Sequence, residues 1–169
     1  PYAMANPHFR SLPLFGEFRG QDNFEQILGL EELPDVIFKA YSTSGTDPDE
    51  LQTKTGIPVV AFNYGDLGAN KSDFFSALEL IGKVLGKEDR AADLLAFFES
   101  EIEELGKRVR SISKENKSTC FIGGVAYKGP HGFQSTEPAY PPFMMLEAEN
   151  ISYDPEKSLK ELVHADMSK

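Results

Sequence analysis

Short apolar runs alternate with stretches of helical spacing in the first third of the chain. The runs at 34–41 and 57–62 are rich in β-branched and aromatic residues, which is typical of buried strands. Helical spacing is found over 24–32, and a second helix is indicated over 47–55 by a proline in its first turn and a glycine after its end. Because parallel strands are joined by crossover helices, this alternation predicts a parallel α/β sheet.

Two predicted helices dominate the middle of the chain. Ser72 and Asp73 are expected to cap the first helix, which ends at Gly86. The second is the strongest pattern in the sequence, an apolar stripe that predicts one continuous helix over 88–113, roughly 39 Å long at ~1.5 Å per residue. The stripe consists of Ala91, Leu94, Leu95, Phe98, Ile102, Leu105, Val109 and Ile112.

The remaining segments are less regular. Residues 1–20 carry prolines, glycines and phenylalanines without a period, and we interpret them as an ordered loop. A third strand is predicted over 119–127. The four prolines of 129–143 predict an irregular loop, because proline interrupts both helices and strands. Short helices are expected over 144–148 and 159–164.

These elements predict three segments along the chain. Residues 1–71 form part of a first α/β lobe, 72–113 form a helical region, and 114–169 form part of a second α/β lobe. A length of 169 residues suits one domain or two small lobes.

Composition narrows the class of partner. The chain is 40% hydrophobic and has a formal net charge of −10, which argues against nucleic-acid binding because acidic side chains repel phosphates. Cys120 is the single cysteine, so neither an intrachain disulfide nor a cysteine-based metal site can form. The first residues lack a signal pattern and no apolar run reaches the ~18 residues of a membrane span, so the chain as given is expected neither to span a membrane nor to direct its own export.

Motifs for common enzyme chemistry are missing from the sequence. The loop 65–68 lacks the third glycine of a dinucleotide fingerprint, and no phosphate-binding loop occurs. His8, His131 and His164 lie far apart and have no metal-ligand spacing. The carboxylates at 101–104 are interpreted as the solvated face of the long helix rather than as a catalytic cluster.

Two loops combine residue types that suit a ligand. Tyr41 to Ser44 follows the first predicted strand and supplies a phenol and hydroxyls. The loop from Tyr127 to Phe133 places a phenol, an ammonium and an imidazole beside glycines that let a ligand approach the backbone, which suits an anionic or metal-bearing ligand. From the local sequence alone, ordinary turns with packed aromatic side chains are an equal alternative.

Several passages resemble one protein family. Residues 34–38 read PDVIF, 55–60 read TGIPVV, and 80–88 read LIGKVLGKE, followed by Arg90 and Ala91. Residues 135–143 contain STEP and YPPF. Together with a long helix between two half-lobes, these passages resemble the periplasmic substrate-binding proteins of ABC importers for iron-siderophores, haem and cobalamin.

The resemblance implies an α/β fold of two Rossmann-like lobes, each incomplete here, joined by a long spine helix with ligand held in the cleft between them. It implies that the protein is no enzyme and needs no cofactor, that its partners are a small-molecule metal chelate and an ABC permease, and that it works in the periplasm or outside the cell on a membrane anchor. The chain resembles the middle of such a protein, so a homo-oligomer that completes the lobes is a further expectation. The implied ligand-binding residues are Tyr41, Ser42, Tyr64, Tyr127, His131 and Thr136.

One alternative stays open beside the resemblance. A metal- or cofactor-dependent α/β enzyme would use His131 and Glu137 as metal ligands or as acid–base groups in the second loop.

Overall fold

The computed structural model describes residues 2–16, 22–41, 45–125 and 132–154. The chain forms two compact units, Pro1–Asn63 and Tyr64–Lys169. In the described residues, each unit contains one parallel sheet of two strands together with helices. The predicted α/β class is confirmed, whereas the segment boundaries after residues 71 and 113 stay predictions.

The first unit begins with helical turns, where the sequence predicted a loop. Helix α1 spans Tyr2–Ala5, and a 3₁₀ helix spans Pro7–Ser11. Proline is compatible with the first position of a helix, because the N–H that it lacks has no partner within the helix there. Helix α2 is Phe24–Leu28, shorter than predicted, and the side chain of Asn23 accepts a hydrogen bond from the backbone N–H of Gln26 at its start.

Strands β1, Ile37–Ala40, and β2, Val59–Phe62, pair in parallel with Ile37 opposite Val59. Helix α3, Pro48–Thr55, is the crossover that a parallel pair requires. Both strands and the helix lie inside the ranges that the sequence predicted.

Four buried side chains from different elements form the core of the first unit. They are Ile27, Ile37, Leu51 and Ile57. Full burial of a side chain of this size stabilises a fold by about 1.5–3 kcal/mol relative to leaving it in water. The core therefore holds α2 and α3 against β1 and the segment that leads into β2.

Two long helices open the second unit. Helix α4 spans Lys71–Leu85 and helix α5 spans Glu88–Val109, with Gly86 between them in the left-handed conformation at φ 60°. The residue that precedes α4 is Asn70, so the prediction that Ser72 and Asp73 cap this helix is wrong.

The two helices pack antiparallel. A Cβ atom added to Gly82 would lie 2.6 Å from the Cβ atom of Ala91, close to the turn between the helices. Further from the turn, the rings of Phe74 and Phe98 meet edge to face with their centroids 5.3 Å apart. The glycine therefore allows the backbones to approach more closely than a larger residue would.

The long helix is continuous, as the sequence predicted, but it ends four residues early, at Val109 rather than Ser113. The backbone N–H of Ile112 donates to the carbonyl of Val109, a three-residue turn that closes the helix before a 3₁₀ helix at Lys114–Asn116. Serine competes with the helix by bonding to nearby backbone, and Ser111 and Ser113 lie in this region.

The polar face of α5 is solvated, as predicted. Glu101, Glu103 and Glu104 are exposed. Glu103 pairs with Lys107 at 3.3 Å and Glu104 with Arg108 at 3.1 Å, both one helical turn apart. Exposed pairs of this type contribute about 0.3–0.5 kcal/mol each, so they explain the acidic cluster without catalysis.

The second sheet pairs strand β3, Thr119–Cys120, in parallel with strand β4, Glu149–Asn150. The prediction of a third strand over 119–127 was too long, because Gly124 adopts φ 78° and donates its N–H to the carbonyl of Ser135. No helix in the described residues is long and apolar enough to cross a membrane.

Helix α6 spans Pro141–Met145, whereas the sequence predicted an irregular loop to 143 and a helix over 144–148. The prediction was wrong because it treated the prolines only as interruptions. Pro141 and Pro142 occupy the first helical turn, where the fixed φ of proline suits the helix and no N–H is needed.

The Gly82 contact predicts opposite effects for two Gly→Ala changes in helices. Gly82→Ala should lower the free energy of unfolding by about 1–3 kcal/mol, the usual cost of overpacking, because its new methyl group would overlap Ala91. Gly106→Ala is the matched control, because its methyl group would meet only the guanidinium end of Arg110, at 3.3 Å. This change should raise the free energy of unfolding by about 0.5–1 kcal/mol, since alanine favours a helix over glycine. Urea unfolding followed by circular dichroism measures both. Equal stabilisation by the two changes would contradict the close packing.

Candidate ligand-binding site

The first candidate residue follows strand β1. The backbone N–H of Tyr41 donates to the carbonyl of Phe62 at 2.9 Å, so the backbone remains paired after the strand ends. The side chain of Tyr41 is 58% exposed. In open α/β sheets, ligands lie beyond the carboxyl ends of the strands, which is where this phenol is found. Ser42 lies outside the described residues.

Tyr64 is the first residue of the second unit, and its side chain is also 58% exposed. The following residue, Gly65, has φ 57° and lies directly against the backbone of Asn70 and Phe74 at the start of α4. No side chain fits there. The loop that carries Tyr64 is therefore packed onto the end of the helix.

Asp66 fixes the same loop from inside. Its carboxylate accepts hydrogen bonds from the N–H of Gly68 at 2.7 Å, from the N–H of Asn70 at 3.1 Å and from the Asn70 amide at 2.8 Å. Partial burial raises the pKa of the Asp66 carboxyl, but these bonds from Asn70 and Gly68 together outweigh it and hold the pKa below its ordinary value. The charged form of Asp66 thus stabilises the loop.

A second loop forms a tight turn at Gly132–Ser135. The N–H and the hydroxyl of Ser135 both bond to the carbonyl of Gly132, at 3.2 and 2.9 Å. The carbonyl of Ser135 accepts from the N–H of Gly124, which ties the turn to the exit of β3. Ser135 is fully buried, so its hydrogen bonds to Gly132 and Gly124 are shielded from water.

This turn places Thr136 inside the unit. Its side chain has no exposed surface, and its hydroxyl oxygen is buried without a hydrogen-bond partner in the part of the chain that the structure describes. A buried hydroxyl without a partner costs about 1–3 kcal/mol. The assignment of Thr136 to a ligand stays a prediction, and its burial means that a ligand would reach the hydroxyl only after a local movement.

The same turn exposes Phe133, which the sequence did not single out as a site residue. The side chain of Phe133 is 69% exposed, and its ring centroid lies 5.6 Å from that of Phe121. A Cβ atom on Gly123 would lie 2.7 Å from the Phe133 ring. The available signal was the glycine at 123, which the sequence analysis placed within the third predicted strand and which makes room for this ring.

The structure brings two of the predicted loops together within the second unit. A Cβ atom added to Gly68, in the loop of Tyr64, would lie 3.5 Å from Cγ of Pro141, at the start of α6. Tyr41 belongs to the first unit. Tyr127 and His131 lie outside the described residues, so their roles stay predictions.

A groove of about 770 Å³ also lies on the second unit, and of the predicted site residues that the structure describes, Tyr41, Tyr64 and Thr136, none lines it. Lys117 and Ala148, which precede β3 and β4, are among its lining residues, together with Phe143 and Tyr153. The lining also includes Glu149 and Asn150, so the groove runs alongside β4. The loops of Tyr64 and Phe133 are better placed for the ligand that an α/β fold binds.

The described residues contain no group of three or more His, Cys, Asp or Glu side chains that could hold a metal ion. Burial raises the pKa of the Cys120 thiol, whose Sγ donates to the carbonyl of Glu149 at 3.6 Å. The thiol is therefore held in its neutral form. Glu137 is partly buried, and its backbone carbonyl accepts from the Asn150 amide at 3.3 Å.

Parallel strands followed by anchored loops with exposed aromatic side chains are the features of an α/β binding protein. Residues 12–144 match the family described as periplasmic binding protein, and the chain belongs to this family. The family is one of binding proteins and not of enzymes, in agreement with the prediction from the sequence.

A curated relative from Bacillus subtilis (strain 168), the uncharacterized ABC transporter substrate-binding lipoprotein YvrC, is 24% identical over 102 residues, 59% of this chain and 31% of the relative. Among solved structures, the ABC transporter solute-binding protein of Sulfurospirillum deleyianum aligns with a TM-score of 0.60 and 21% identity over 95% of this chain and 48% of that one.

Two further solved structures are similar. The Haemophilus influenzae protein MolA, in its molybdate-bound form, gives a TM-score of 0.64 and 20% identity over 90% of this chain and 49% of its own. The TroA-like periplasmic binding protein FepB of Veillonella parvula gives a TM-score of 0.59 and 25% identity over 95% of this chain and 46% of its own. The chain thus spans less than half the length of each of these four proteins.

The unpartnered hydroxyl of Thr136 predicts an unusual result for Thr→Val. Thr136→Val should leave the free energy of unfolding unchanged or raise it, because it removes a buried polar group that makes no bond. Thr55→Val is the matched control: Thr55 is also buried, and its hydroxyl bonds to the carbonyl of Leu51 at 2.7 Å and to the N–H of Ile57 at 3.3 Å. Thr55→Val should lower the free energy of unfolding by about 1–3 kcal/mol. Urea unfolding measures both changes. A comparable loss of stability for Thr136→Val would contradict the absence of a hydrogen bond at this hydroxyl.

The lowered pKa of Asp66 predicts a dependence of stability on pH. A carboxyl with a depressed pKa in the folded state contributes stability above its unfolded pKa, and this stability is lost as the pH falls through the folded pKa. Asp66→Asn should therefore lower stability at neutral pH and flatten its decline on acidification below about pH 4. Urea unfolding at a series of pH values measures this. The control is Asp93→Asn, which removes one charge at an exposed position of α5 and should keep the wild-type profile.

Proposed function

We propose that the protein is an extracytoplasmic solute-binding protein that captures a metal chelate, an iron complex, and delivers it to an ABC permease. The observation that supports this most directly is the pair of anchored segments in the second unit, the loop of Tyr64 and the turn of Phe133, which expose aromatic side chains after strands of an α/β fold from the periplasmic binding protein family. Loops that are ordered before binding lose less entropy when the ligand arrives.

Capture of this kind needs hydrogen bonding and contact but no covalent chemistry. The phenols of Tyr41 and Tyr64 can donate to the oxygen atoms of a chelate or contact its apolar surface. The predicted residues Ser42, Tyr127, His131 and Thr136 complete the proposed set. Neither a catalytic residue nor a cofactor is part of this proposal.

The proposed partner and location follow from the relatives. The Bacillus protein is named as a lipoprotein of an ABC transporter, which supports an anchored position outside the cytoplasm. A net charge of −10 favours basic residues on the permease, because complementary charge steers and orients such encounters. Association of two copies through strand edges also stays a prediction.

An oxyanion is the second candidate ligand, because the similar Haemophilus protein is bound to molybdate. Oxyanion sites require several converging N–H, hydroxyl or cationic donors. In the described residues of the two loops, the exposed groups include the phenol of Tyr64 and the ring of Phe133. A chelate with apolar surface therefore suits these loops better than a small anion.

Titration tests the proposal in the protein at the full length that its gene encodes. Ferric chelates, haem, cobalamin and molybdate are added separately, and the change in intrinsic protein fluorescence reports binding. We expect saturable binding of a metal chelate without chemical change of the ligand. Turnover of the ligand would refute a pure binding function, and saturation by molybdate alone would favour the oxyanion.

The same titration tests the site. Tyr64→Phe and His131→Ala should each weaken chelate binding by about 1–3 kcal/mol, since each removes a polar partner of the ligand. Tyr153→Phe is the control, because Tyr153 is 45% exposed but lines the groove, which Tyr64 does not. If Tyr153→Phe weakens binding and the other two changes do not, the ligand site lies in the groove.

A further inference from the structure

We propose that Phe133 is a stacking platform that selects chelates with a flat aromatic ring system, such as a catecholate or a porphyrin. The inference rests on the proposed function and identifies the ligand class that the second unit recognises. It starts from the position of the ring. Phe133 is more exposed than any other phenylalanine in the described residues, with 69% of its side chain open to solvent.

The exposed ring is held in place. Phe133 is a central residue of the turn Gly132–Ser135, which is closed by two hydrogen bonds from Ser135 and tied to Gly124 by a third. The ring lies against the backbone of Gly123, which leaves it the space that a Cβ atom would fill, and against the ring of Phe121. The ring thus contacts Gly123 and Phe121, and most of its surface stays open.

A fixed and open aromatic face favours some ligands over others. Flat aromatic groups stack on it in offset or edge-to-face geometry, and such pairs contribute about 0.5–1.5 kcal/mol beyond the area that they bury. The face of the ring carries the negative part of its quadrupole, so a bare oxyanion gains nothing from it. The turn thus favours a chelate that is itself aromatic over a hydroxamate complex or molybdate.

Location supports the same conclusion. The turn is hydrogen-bonded to the chain just beyond β3, at the end of the strand where α/β proteins bind ligands. Another exposed phenylalanine of the second unit, Phe97 at 56%, lies within α5 and is remote in sequence from any strand end. Phe97 therefore provides a matched control for exposure without the proposed role.

The experiment measures dissociation constants of the full-length protein for ferric tris-catecholate, haem, ferric desferrioxamine and molybdate. The titrations with catecholate and with haem distinguish the two kinds of aromatic chelate. Ferric desferrioxamine, a hydroxamate, and molybdate contain no aromatic ring. Phe133→Leu should lower the affinity for whichever aromatic chelate the wild type binds by about 3- to 10-fold. Phe133→Tyr should keep the affinity, and Phe97→Leu should leave it unchanged.

The outcomes separate this inference from the proposed function. If the wild type binds an aromatic chelate but Phe133→Leu binds it equally well, the inference fails and the proposed function remains. If the wild type binds only the hydroxamate or molybdate, the aromatic class is wrong. If no metal chelate binds at all, the proposed function fails and takes the inference with it. Thermal unfolding of each variant without ligand verifies that a loss of affinity is not a loss of folding.

Discussion

The second unit depends on glycines that allow close backbone contact. Three of its described glycines have no room for a Cβ atom: Gly65 against the start of α4, Gly82 against Ala91 of α5, and Gly123 against Phe133. The first allows the loop of Tyr64 to lie on α4. The second sets the distance between the two long helices, and the third lets the Phe133 ring rest on the exit of β3. The candidate loops and the helices that carry them are thus positioned by the same kind of contact.

Elements with a local cause were predictable from the sequence. Helix α3 is an example, because the Asp47 side chain accepts bonds from the N–H groups of Asp49 and Glu50 and Gly56 adopts φ 71° after the last turn. Each end of the helix is therefore determined by residues beside it. The stripe of α5 was predictable for the same reason, since its spacing repeats over the whole helix.

Other features have causes that local spacing does not contain. Pro141 and Pro142 were read as interruptions, although proline at the first turn of a helix is favourable. The side chain of Thr136 points inward because Ser135 bonds back to Gly132 and to Gly124. No local pattern shows whether a loop side chain turns inward or outward. The sequence therefore did not show that Thr136 is buried and that Phe133 is exposed.

Two features of the turn at 132–136 oppose the stability of the unliganded unit. The hydroxyl of Thr136 is buried without a partner in the described residues, at a cost of about 1–3 kcal/mol. The Phe133 ring remains in water, and full burial of such a ring would contribute about 1.5–3 kcal/mol. Departures of this kind from a well-packed interior are common at functional sites, where a ligand supplies the missing contact.

The hydrogen bonds of the two loops reduce the entropy that ligand binding would cost, because they order the loops before a ligand arrives. Asp66 fixes the loop of Tyr64 with three bonds, and Ser135 fixes the turn of Phe133 with three more. Both loops are therefore ordered in advance, so a ligand does not have to order them at the cost of its own binding energy. In such an arrangement the hydrogen bonds of the loops keep the geometry of the site, and exposed side chains such as Tyr64 and Phe133 can determine which ligand fits it.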